Sequence, residues 1–273
     1  DDIVAAAAHG QLSGLVVGGV DPDDLADPAL AARALAGVDF LVSLEMRPSA
    51  VTEQADVVLP IAPAAEKSGS YLNWEGRRRE FGTTIDGTGA LSDCRVLDTL
   101  AVEMDADLYT QTPAAAAADL AKLGSNARQV AGSRPTAEHH PAVAPGAGQA
   151  VLATWKSLLD NGSLQADEPH LAATAAQPRA LLSNESAARY GVEFGQPVIV
   201  STDRGSIEIV AAQGDLPDGV VWLPENSGPS TVRKTLGVGH GAVVNVRAGD
   251  ASASDVNAGD ASAGNASAGE VRQ

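Results

Sequence analysis

The chain has 273 residues, a formal net charge of −17 and a single cysteine, Cys94. That length can hold two domains with cores of their own. The negative charge argues against nucleic acid or an anionic lipid surface as the main partner, because both would repel it. One thiol cannot build an internal disulfide, a structural zinc site or a cysteine-ligated iron–sulfur cluster.

The composition is typical of a compact α/β or β-rich body with many turns and some low-complexity chain. Hydrophobic residues make up 44% of the sequence but aromatic residues only 3%, beside 28 glycines and 15 prolines. No run approaches ~18 apolar residues, so no membrane-spanning helix is expected. No signal peptide is recognisable. The sequence opens DDIVAAAAHGQ without an initiator methionine, and we expect it to be a piece of a longer polypeptide.

The first part of the chain alternates between apolar strands and short helices. The helix at 27–37 has the clearest signals, because Asp27 can cap it, Pro28 fits its first turn and Gly37 can end it. Continuous apolar strands separated by helices favour a parallel sheet with helices on both faces. The predicted elements are a helix end at 3–9, strands at 12–22, 38–46 and 55–61, and a helical turn at 48–55.

The middle of the chain is predicted to be mainly helical and then irregular. Apolar residues recur at helical spacing over 91–104, and Cys94 lies on that apolar face as a buried small hydrophobe. Residues 107–150 read as an Ala/Pro-rich linker or insertion with one helix at 112–124. The segment 150–162 is predicted as an amphipathic helix that ends at Gly162.

From Arg179 onward the pattern changes to short strands, which favours a small β-barrel. The sequence STDRGS at 201–206 is a strong hairpin signal, and a short helix capped at Asn184 precedes that hairpin. The tail at 248–273 has few large apolar residues and is predicted to be disordered. The predicted strands lie at 179–183, 196–214, 218–225 and 240–249.

One stretch, 52–80, combines a strand, a turn at 69–70 and a polar cluster, which is how many binding crevices are built. In it, Arg77 can grip a phosphate or carboxylate with two hydrogen bonds. Asn73 can donate and accept, and Gly76 allows a close backbone approach.

A competing interpretation explains the same polar cluster without a ligand. The three arginines at 77–79 pair with Glu75 and Glu80 on a solvated loop. On spacing alone this second interpretation is favoured.

The other candidate motifs have simpler explanations. The glycine-rich run 237–243 does not open a helix after a strand, so it is not a dinucleotide fingerprint but a loop that enters the last strand. Asp203 and Arg204 lie at a hairpin tip, where turn chemistry explains them. His139 and His140 lie in the Pro/Ala-rich linker with no third ligand nearby, so they are predicted to be surface residues rather than metal ligands. The other histidines each stand alone in the sequence: His9, His170 and His240.

Two stretches together resemble the molybdopterin oxidoreductase superfamily. The first, at 55–80, reads ADVVLPIAPAAEKSGSYLNWEGRRRE, and the superfamily carries a similar strand followed by Glu, Gly, Asn and Glu-Gly-Arg. The second, at 181–226, runs from LLSNESAARYGVEFGQ to GVVWLPEN and is similar to the superfamily's C-terminal double-psi β-barrel. The resemblance covers roughly 1–247, with a poor match over 107–150.

The resemblance implies a fold and a domain order. A Rossmann-like α/β part of a molybdopterin oxidoreductase body occupies 1–106, the linker 107–150 follows, a helix plus double-psi barrel occupies 151–247, and the tail begins at 248. Within the superfamily the likeness is to the C-terminal part of the family of G subunits of NADH-quinone oxidoreductase (respiratory complex I), of the actinobacterial type.

That family resemblance also implies a function and a site. The chain would be a cofactor-free scaffold with no catalytic or metal-binding residue, in a parent whose iron–sulfur clusters lie elsewhere. Asn73, Gly76 and Arg77 would line a vestigial pterin crevice. The partners would be other peripheral-arm subunits at the cytoplasmic face of the membrane, with no nucleic acid and no direct membrane insertion.

Two other functions stay open at this point. In the C-terminal half of a true molybdenum bis-pterin oxidoreductase, of the formate dehydrogenase or nitrate reductase type, Asn73, Arg77 and loops near Asn226 would contact molybdopterin guanine dinucleotide. We expect the half of that fold that supplies the ligand nearest the metal to lie outside this chain. The third hypothesis is a non-enzymatic interaction module built on the barrel alone.

Overall fold

The structure is a computed structural model that describes residues 1–122 and 144–250. The chain divides into two compact units, Asp1–His140 and Pro141–Gln273. Residues 123–143 of the predicted linker, which include His139 and His140, and the tail after 250 lie outside the described residues. No helix within the two described ranges is long and apolar enough to span a membrane.

The first unit contains a three-stranded parallel sheet in the order β1-β2-β3, which confirms the parallel sheet predicted from sequence. A separate hairpin, β4–β5, follows it. The strands are β1 (Gly14–Gly18), β2 (Phe40–Glu45), β3 (Val57–Pro60), β4 (Gly69–Leu72) and β5 (Arg78–Phe81). The helices are α1 (Asp2–Ala8), α2 (Pro28–Gly37), α3 (Asp93–Glu103) and α4 (Pro113–Lys122).

Helix α2 begins and ends where its sequence signals place it. The Asp27 side chain accepts a hydrogen bond from the Leu30 amide at 3.1 Å, Pro28 occupies the first turn, and Gly37 is the last residue. Helix α2 contacts α1, and its alanines Ala31 and Ala34 are almost fully buried.

The core of the first unit is small. Leu44 of β2, Ile61 and Val96 of α3 form its buried cluster, with Val42 and Leu59 packed against them. Val96 therefore holds α3 against one face of the sheet. Leu41 and Ser43 alternate with Val42 and Leu44 along β2 and are also buried, so both faces of the central strand are covered.

One prediction for the stretch between β3 and β5 needs correction. Gly69 and Ser70 do not form a turn but begin β4, which pairs antiparallel with β5. The segment 48–55, which precedes β3, forms the predicted helical turn, in which the Glu53 amide donates to the Ser49 carbonyl at 3.1 Å.

The second unit is a closed six-stranded barrel in the order β10-β6-β13-β8-β9-β7. The barrel strands are β6 (Gln149–Trp155), β7 (Ala180–Leu182), β8 (Pro197–Ser201), β9 (Ser206–Gln213), β10 (Val220–Pro224) and β13 (Val243–Ala248). Helices α5 (Pro169–Ala172) and α6 (Asn184–Tyr190), the short pair β11 (Asn226–Ser227) and β12 (Ser230–Thr231), and a π-helical turn, Val232–Leu236, lie between them.

The barrel confirms the predicted small β-barrel and its hairpin. Strands β8 and β9 pair antiparallel, with Ser201 opposite Ser206 at the tip. The core is formed by alternate residues of every barrel strand, and Leu152, Leu182, Val200 and Leu223 are fully buried within it. In a closed barrel of this size, side chains fill the interior.

The predicted helix at 150–162 is wrong, because its first part is strand β6. Ala150, Leu152 and Thr154 point inward and are buried, which is the two-residue period of a strand. Their outward neighbours, Val151 and Ala153, are also apolar, so the alternation is hidden in the sequence. Strand β6 is fixed by distant partners, β10 in parallel and β13 in antiparallel.

The cap of α6 also differs from its prediction. Ser183, not Asn184, is the capping residue, and its hydroxyl accepts a hydrogen bond from the Ser186 amide at 3.0 Å. The helix ends at Gly191 in the left-handed conformation, with φ +66°.

Candidate functional site

Asn73, Gly76 and Arg77 lie together at the tip of the β4–β5 hairpin. The Asn73 side-chain oxygen accepts hydrogen bonds from the amides of Arg77, at 2.8 Å, and Glu75, at 3.1 Å. The Asn73 amide donates to the Arg77 carbonyl at 3.1 Å. This asparagine therefore closes the loop by bonding its own backbone, as asparagines in tight turns do.

Gly76 is needed for the shape of the same loop. Its φ of +79° lies in the left-handed region, which glycine adopts at no steric cost. A Cβ at this position would meet no atom within 4 Å. In this structure the glycine is therefore required by the turn and not by a close neighbour.

Arg77 is paired within the hairpin. Its Nε lies 3.4 Å from Glu75 Oε2, and Arg78 Nη2 lies 2.9 Å from Glu80 Oε1. All four side chains are exposed. These contacts agree with the solvated-loop interpretation for the first two arginines of the run.

The base of the hairpin is tied to α3 and to the loop after β5. Lys67 Nζ contacts Asp93 Oδ2 at 2.5 Å, in an ion pair in which the lysine is mostly buried. The amides of Thr84 and Ile85 both donate to the Ala65 carbonyl. The sequence gives no signal for the ion pair, because its members are 26 residues apart.

Asp98 is the residue in this unit that sequence reasoning missed. It is 1% exposed and accepts hydrogen bonds from the Thr110 amide at 2.8 Å and the Thr110 hydroxyl at 3.1 Å. Arg95 Nη1 lies 3.4 Å from its second oxygen. The available signal was a carboxylate on the apolar face of the predicted helix, four residues after Cys94.

Cys94 is only partly buried, so its prediction as a buried hydrophobe is only partly right. Its Sγ donates to the Thr110 carbonyl at 2.9 Å, beside the Asp98 contacts. Burial, followed by the charges of Asp98 and Asp93, raises the pKa of the Cys94 thiol. Since the thiolate is the reactive form, this environment lowers the reactivity of the sulfur.

The second unit has a cavity of about 340 Å³ beside α5. Asp160, Asp167 and Glu168 contribute carboxylates to its lining. Two of these are already used by the backbone: Asp160 accepts from the Gly162 amide, and Glu168 accepts from the amides of the first turn of α5. The cavity is acidic, and its polar groups largely hold its own loop.

The loop that lines this cavity is fastened to β11. The Asn161 amide donates to the Asn226 carbonyl at 2.9 Å, and the Asn161 side chain donates to the Gly228 carbonyl at 3.2 Å. Nearby, Arg233 Nε pairs with Glu225 Oε1 at 2.8 Å. The backbone near Asn226 is therefore engaged in loop packing.

His240 has a structural role. Its Nδ1 accepts a hydrogen bond from the Thr154 amide at 3.3 Å, at the end of β6 that extends beyond its pairing with β13. Within residues 1–122 and 144–250, no three His, Cys, Asp or Glu side chains are grouped as metal ligands.

Comparison with known proteins supplies a family for this fold. Residues 151–263 match the family model described as Molydopterin dinucleotide binding domain. An acetylene hydratase from Pelobacter acetylenicus superposes with a TM-score of 0.57 at 16% identity, covering 90% of this chain and 46% of that chain. At that identity the likeness shows the fold alone.

Curated relatives match almost the whole chain. The G subunit of NADH-quinone oxidoreductase from Mycobacterium bovis is 47% identical over 258 residues, which cover 91% of this chain and 31% of the relative. The corresponding protein of Streptomyces coelicolor is 42% identical over 250 residues, covering 90% of this chain and 30% of the relative. The chain therefore spans about a third of the length of these relatives.

The match of residues 151–263 defines the class: the chain carries a molybdopterin dinucleotide binding domain of the molybdopterin oxidoreductase superfamily. Within that superfamily it is related to the G subunits of NADH-quinone oxidoreductase, as the resemblance at 55–80 and 181–226 predicted.

Proposed function

We propose that this chain is the C-terminal scaffold region of the iron–sulfur G subunit of NADH-quinone oxidoreductase, in a complex that passes electrons from NADH to quinone. The observation that carries the proposal is 47% identity to such a subunit over 91% of the chain. On this proposal the iron–sulfur clusters lie in a part of the parent subunit outside these residues. This region contributes surfaces for assembly and no catalytic group.

We also infer that the barrel is of the double-psi type, and the pairing of its strands supports this. Six strands close the ring, and two of the pairings, β6 with β10 and β7 with β9, are parallel within an otherwise antiparallel barrel. The crevice of the superfamily is then an inherited shape in this chain.

We infer that molybdopterin guanine dinucleotide does not fit the groups at the described hairpin tip or in the described cavity beside α5. The side-chain oxygen of Asn73 accepts hydrogen bonds from two backbone amides, and Arg77 is paired with Glu75. The cavity beside α5 presents carboxylates, which repel a pyrophosphate, whereas such a group binds best to backbone amides at helix N-termini and to cations. These contacts support a crevice that has lost its ligand.

The second candidate is the C-terminal half of a molybdenum bis-pterin oxidoreductase. The match of residues 151–263 to the Molydopterin dinucleotide binding domain favours it. Asn73 and Arg77 would then have to exchange their present partners for the cofactor. The loop near Asn226 would have to release Asn161.

Analysis of metals and pterin in the full-length parent, purified in its native complex, decides between the two. We expect iron without molybdenum or pterin, together with NADH dehydrogenase subunits in the same preparation. Stoichiometric molybdenum with pterin would overturn the scaffold proposal. If the parent purifies without any NADH dehydrogenase subunit, the proposal that it belongs to NADH-quinone oxidoreductase is wrong.

The proposed partners and location follow from the same relatives. We propose that other peripheral-arm subunits contact this region, and that the arm lies at the cytoplasmic face of the membrane. The net charge of −17 supports partners other than nucleic acid.

A further inference from the structure

The β4–β5 hairpin exposes the residue types that dominate binding energy at protein interfaces. Trp74 at its tip is 92% exposed and Tyr71 is 64% exposed. Arg79 lies opposite Tyr71 in the antiparallel register, so both side chains lie on the same face of the hairpin. Trp, Tyr and Arg are the residues enriched in interface hot spots.

Arg79 differs from the two arginines before it. Arg77 and Arg78 are each paired with a glutamate of the hairpin, Glu75 and Glu80. Among the residues that the structure describes, Arg79 has no carboxylate partner. A guanidinium left without a counter-charge beside two aromatic residues is complementary to an apolar cleft bordered by a carboxylate.

The hairpin face is also held in shape before any partner arrives. The rings of Tyr71 and Phe81 stack at a centroid distance of 4.9 Å, across the face that carries Arg79. At the tip, Asn73 fixes the loop through two hydrogen bonds. Preorganisation of this kind lowers the entropy cost of binding.

The rest of the first unit indicates what covers this face. Of the large apolar side chains that are exposed among the described residues, eighteen belong to the first unit and five to the second. The buried core clusters contain three residues in the first unit and eighteen in the second. A unit with a small core and so much exposed apolar surface needs further protein to cover it.

We propose that the Tyr71–Arg79 face and Trp74 dock into the remainder of the same polypeptide. The occupant is a protein surface with an apolar cleft for the Trp74 ring and a carboxylate for Arg79. This inference rests on the proposed function, in which the chain is part of a subunit about three times its length. A cover within one polypeptide protects this surface before assembly, whereas a cover supplied by another subunit would leave it open to aggregation until then.

Hydroxyl-radical footprinting with mass spectrometry tests the proposal by measuring the oxidation rate of Trp74. The rate is compared between the 273-residue chain and the full-length parent subunit purified alone, with the radical dose calibrated on an added reference peptide. Because a docked hot-spot residue is shielded from water, we expect oxidation at least about fivefold slower in the isolated parent subunit.

A matched pair of variants in the full-length parent tests the charge. Arg79→Gln should return Trp74 oxidation towards the rate of the 273-residue chain. Arg78→Gln, one residue away on the opposite face, should leave the protection in place. Equal loss of protection in both variants would overturn the role of Arg79.

Two outcomes would overturn the choice of occupant. Trp74 oxidised equally fast in the chain, the isolated parent and the assembled complex would show that nothing docks on this face. Protection that appears only in the assembled complex would assign the cover to another subunit. The oxidation rate of Trp74 does not depend on the metal content of the parent. Failure of the docking proposal can therefore be distinguished from failure of the scaffold proposal, which metal and pterin analysis tests.

Discussion

At the scale of single residues, Asn73 illustrates how a side chain can hold a loop instead of a ligand. Replacing it with alanine removes the acceptor of two backbone amides, and we expect the hairpin to lose about 1 kcal/mol of local stability. Hydrogen exchange of amides 72–78 should accelerate about fivefold, while unfolding of the barrel stays unchanged. Asn73→Asp retains the acceptor oxygen and is the control. Equal exchange in all three chains would contradict this role.

Cys94 gives a prediction about pH. Its raised pKa means less thiolate at any given pH, so alkylation by iodoacetamide should be slower in the folded chain than in the chain unfolded in guanidinium chloride. The pH at which the alkylation rate rises should also be higher for the folded chain than for the unfolded chain. The folded state holds this proton more tightly, so its contribution to stability is lost as pH rises through the folded pKa. Coincident pH profiles would exclude this environment.

The spacing of residues in the sequence predicted which side chains meet at the candidate site, but not whether they bind a ligand. Asn73, Gly76 and Arg77 are close in sequence, so their meeting at one loop could be foreseen. Whether the asparagine oxygen faces a ligand or its own backbone depends on the loop conformation, which Gly76 sets through its positive φ. The position of Asp98 on the apolar face of a predicted helix indicates burial, but its partner could not be foreseen, because Thr110 lies in a segment without periodicity.

At the scale of elements, the β8–β9 hairpin packs its tip against the π-helical turn that follows β12. Thr202 Oγ1 donates to the Leu236 carbonyl at 2.8 Å, and the ideal Cβ position of Gly205 lies 2.5 Å from the Thr235 carbonyl oxygen. We expect Gly205→Ala to lower the free energy of unfolding of the barrel by about 1–3 kcal/mol, because the backbone must shift. Denaturant titration measures this loss.

Gly239→Ala is the matched control for that substitution. A Cβ at Gly239 meets no atom within 4 Å, and its φ lies outside the left-handed region. Its effect on the midpoint of unfolding should be small. Equal effects of the two substitutions would mean that the contact with Thr235 does not limit this turn.

Elements with local signals were predicted, and elements defined by distant partners were not. The Asp27 cap and the STDRGS hairpin carry their own chemistry, so α2 and β8–β9 appear where expected. Strand β6 carries apolar residues on both faces, and its sequence pattern predicts a helix instead. Only its pairing with β10 and β13 decides its conformation, and sequence periodicity does not reveal that pairing.

At the scale of the whole molecule, the two units differ in how completely their sheets are closed. The parallel sheet of the first unit is open, with β1 and β3 as its edge strands, whereas the sheet of the second unit closes into a barrel. Alternating strands and helices predicted the first sheet, and short strands predicted a barrel. The order of strands around that barrel did not follow from the sequence, since its neighbours are set by packing of the common core.

The closure of the barrel has a consequence for how the protein is made. Gln149 of β6 lies opposite Asn245 of β13, and their side chains bond across a separation of 96 residues. Contacts between such distant residues form slowly and late. On the ribosome, β6 emerges long before β13 exists, so the barrel cannot close until nearly all of its residues have left the exit tunnel. A chain stalled before Val243 would therefore leave one edge of β6 and one edge of β8 unpaired. We expect chaperones to bind the nascent chain until β13 has been made.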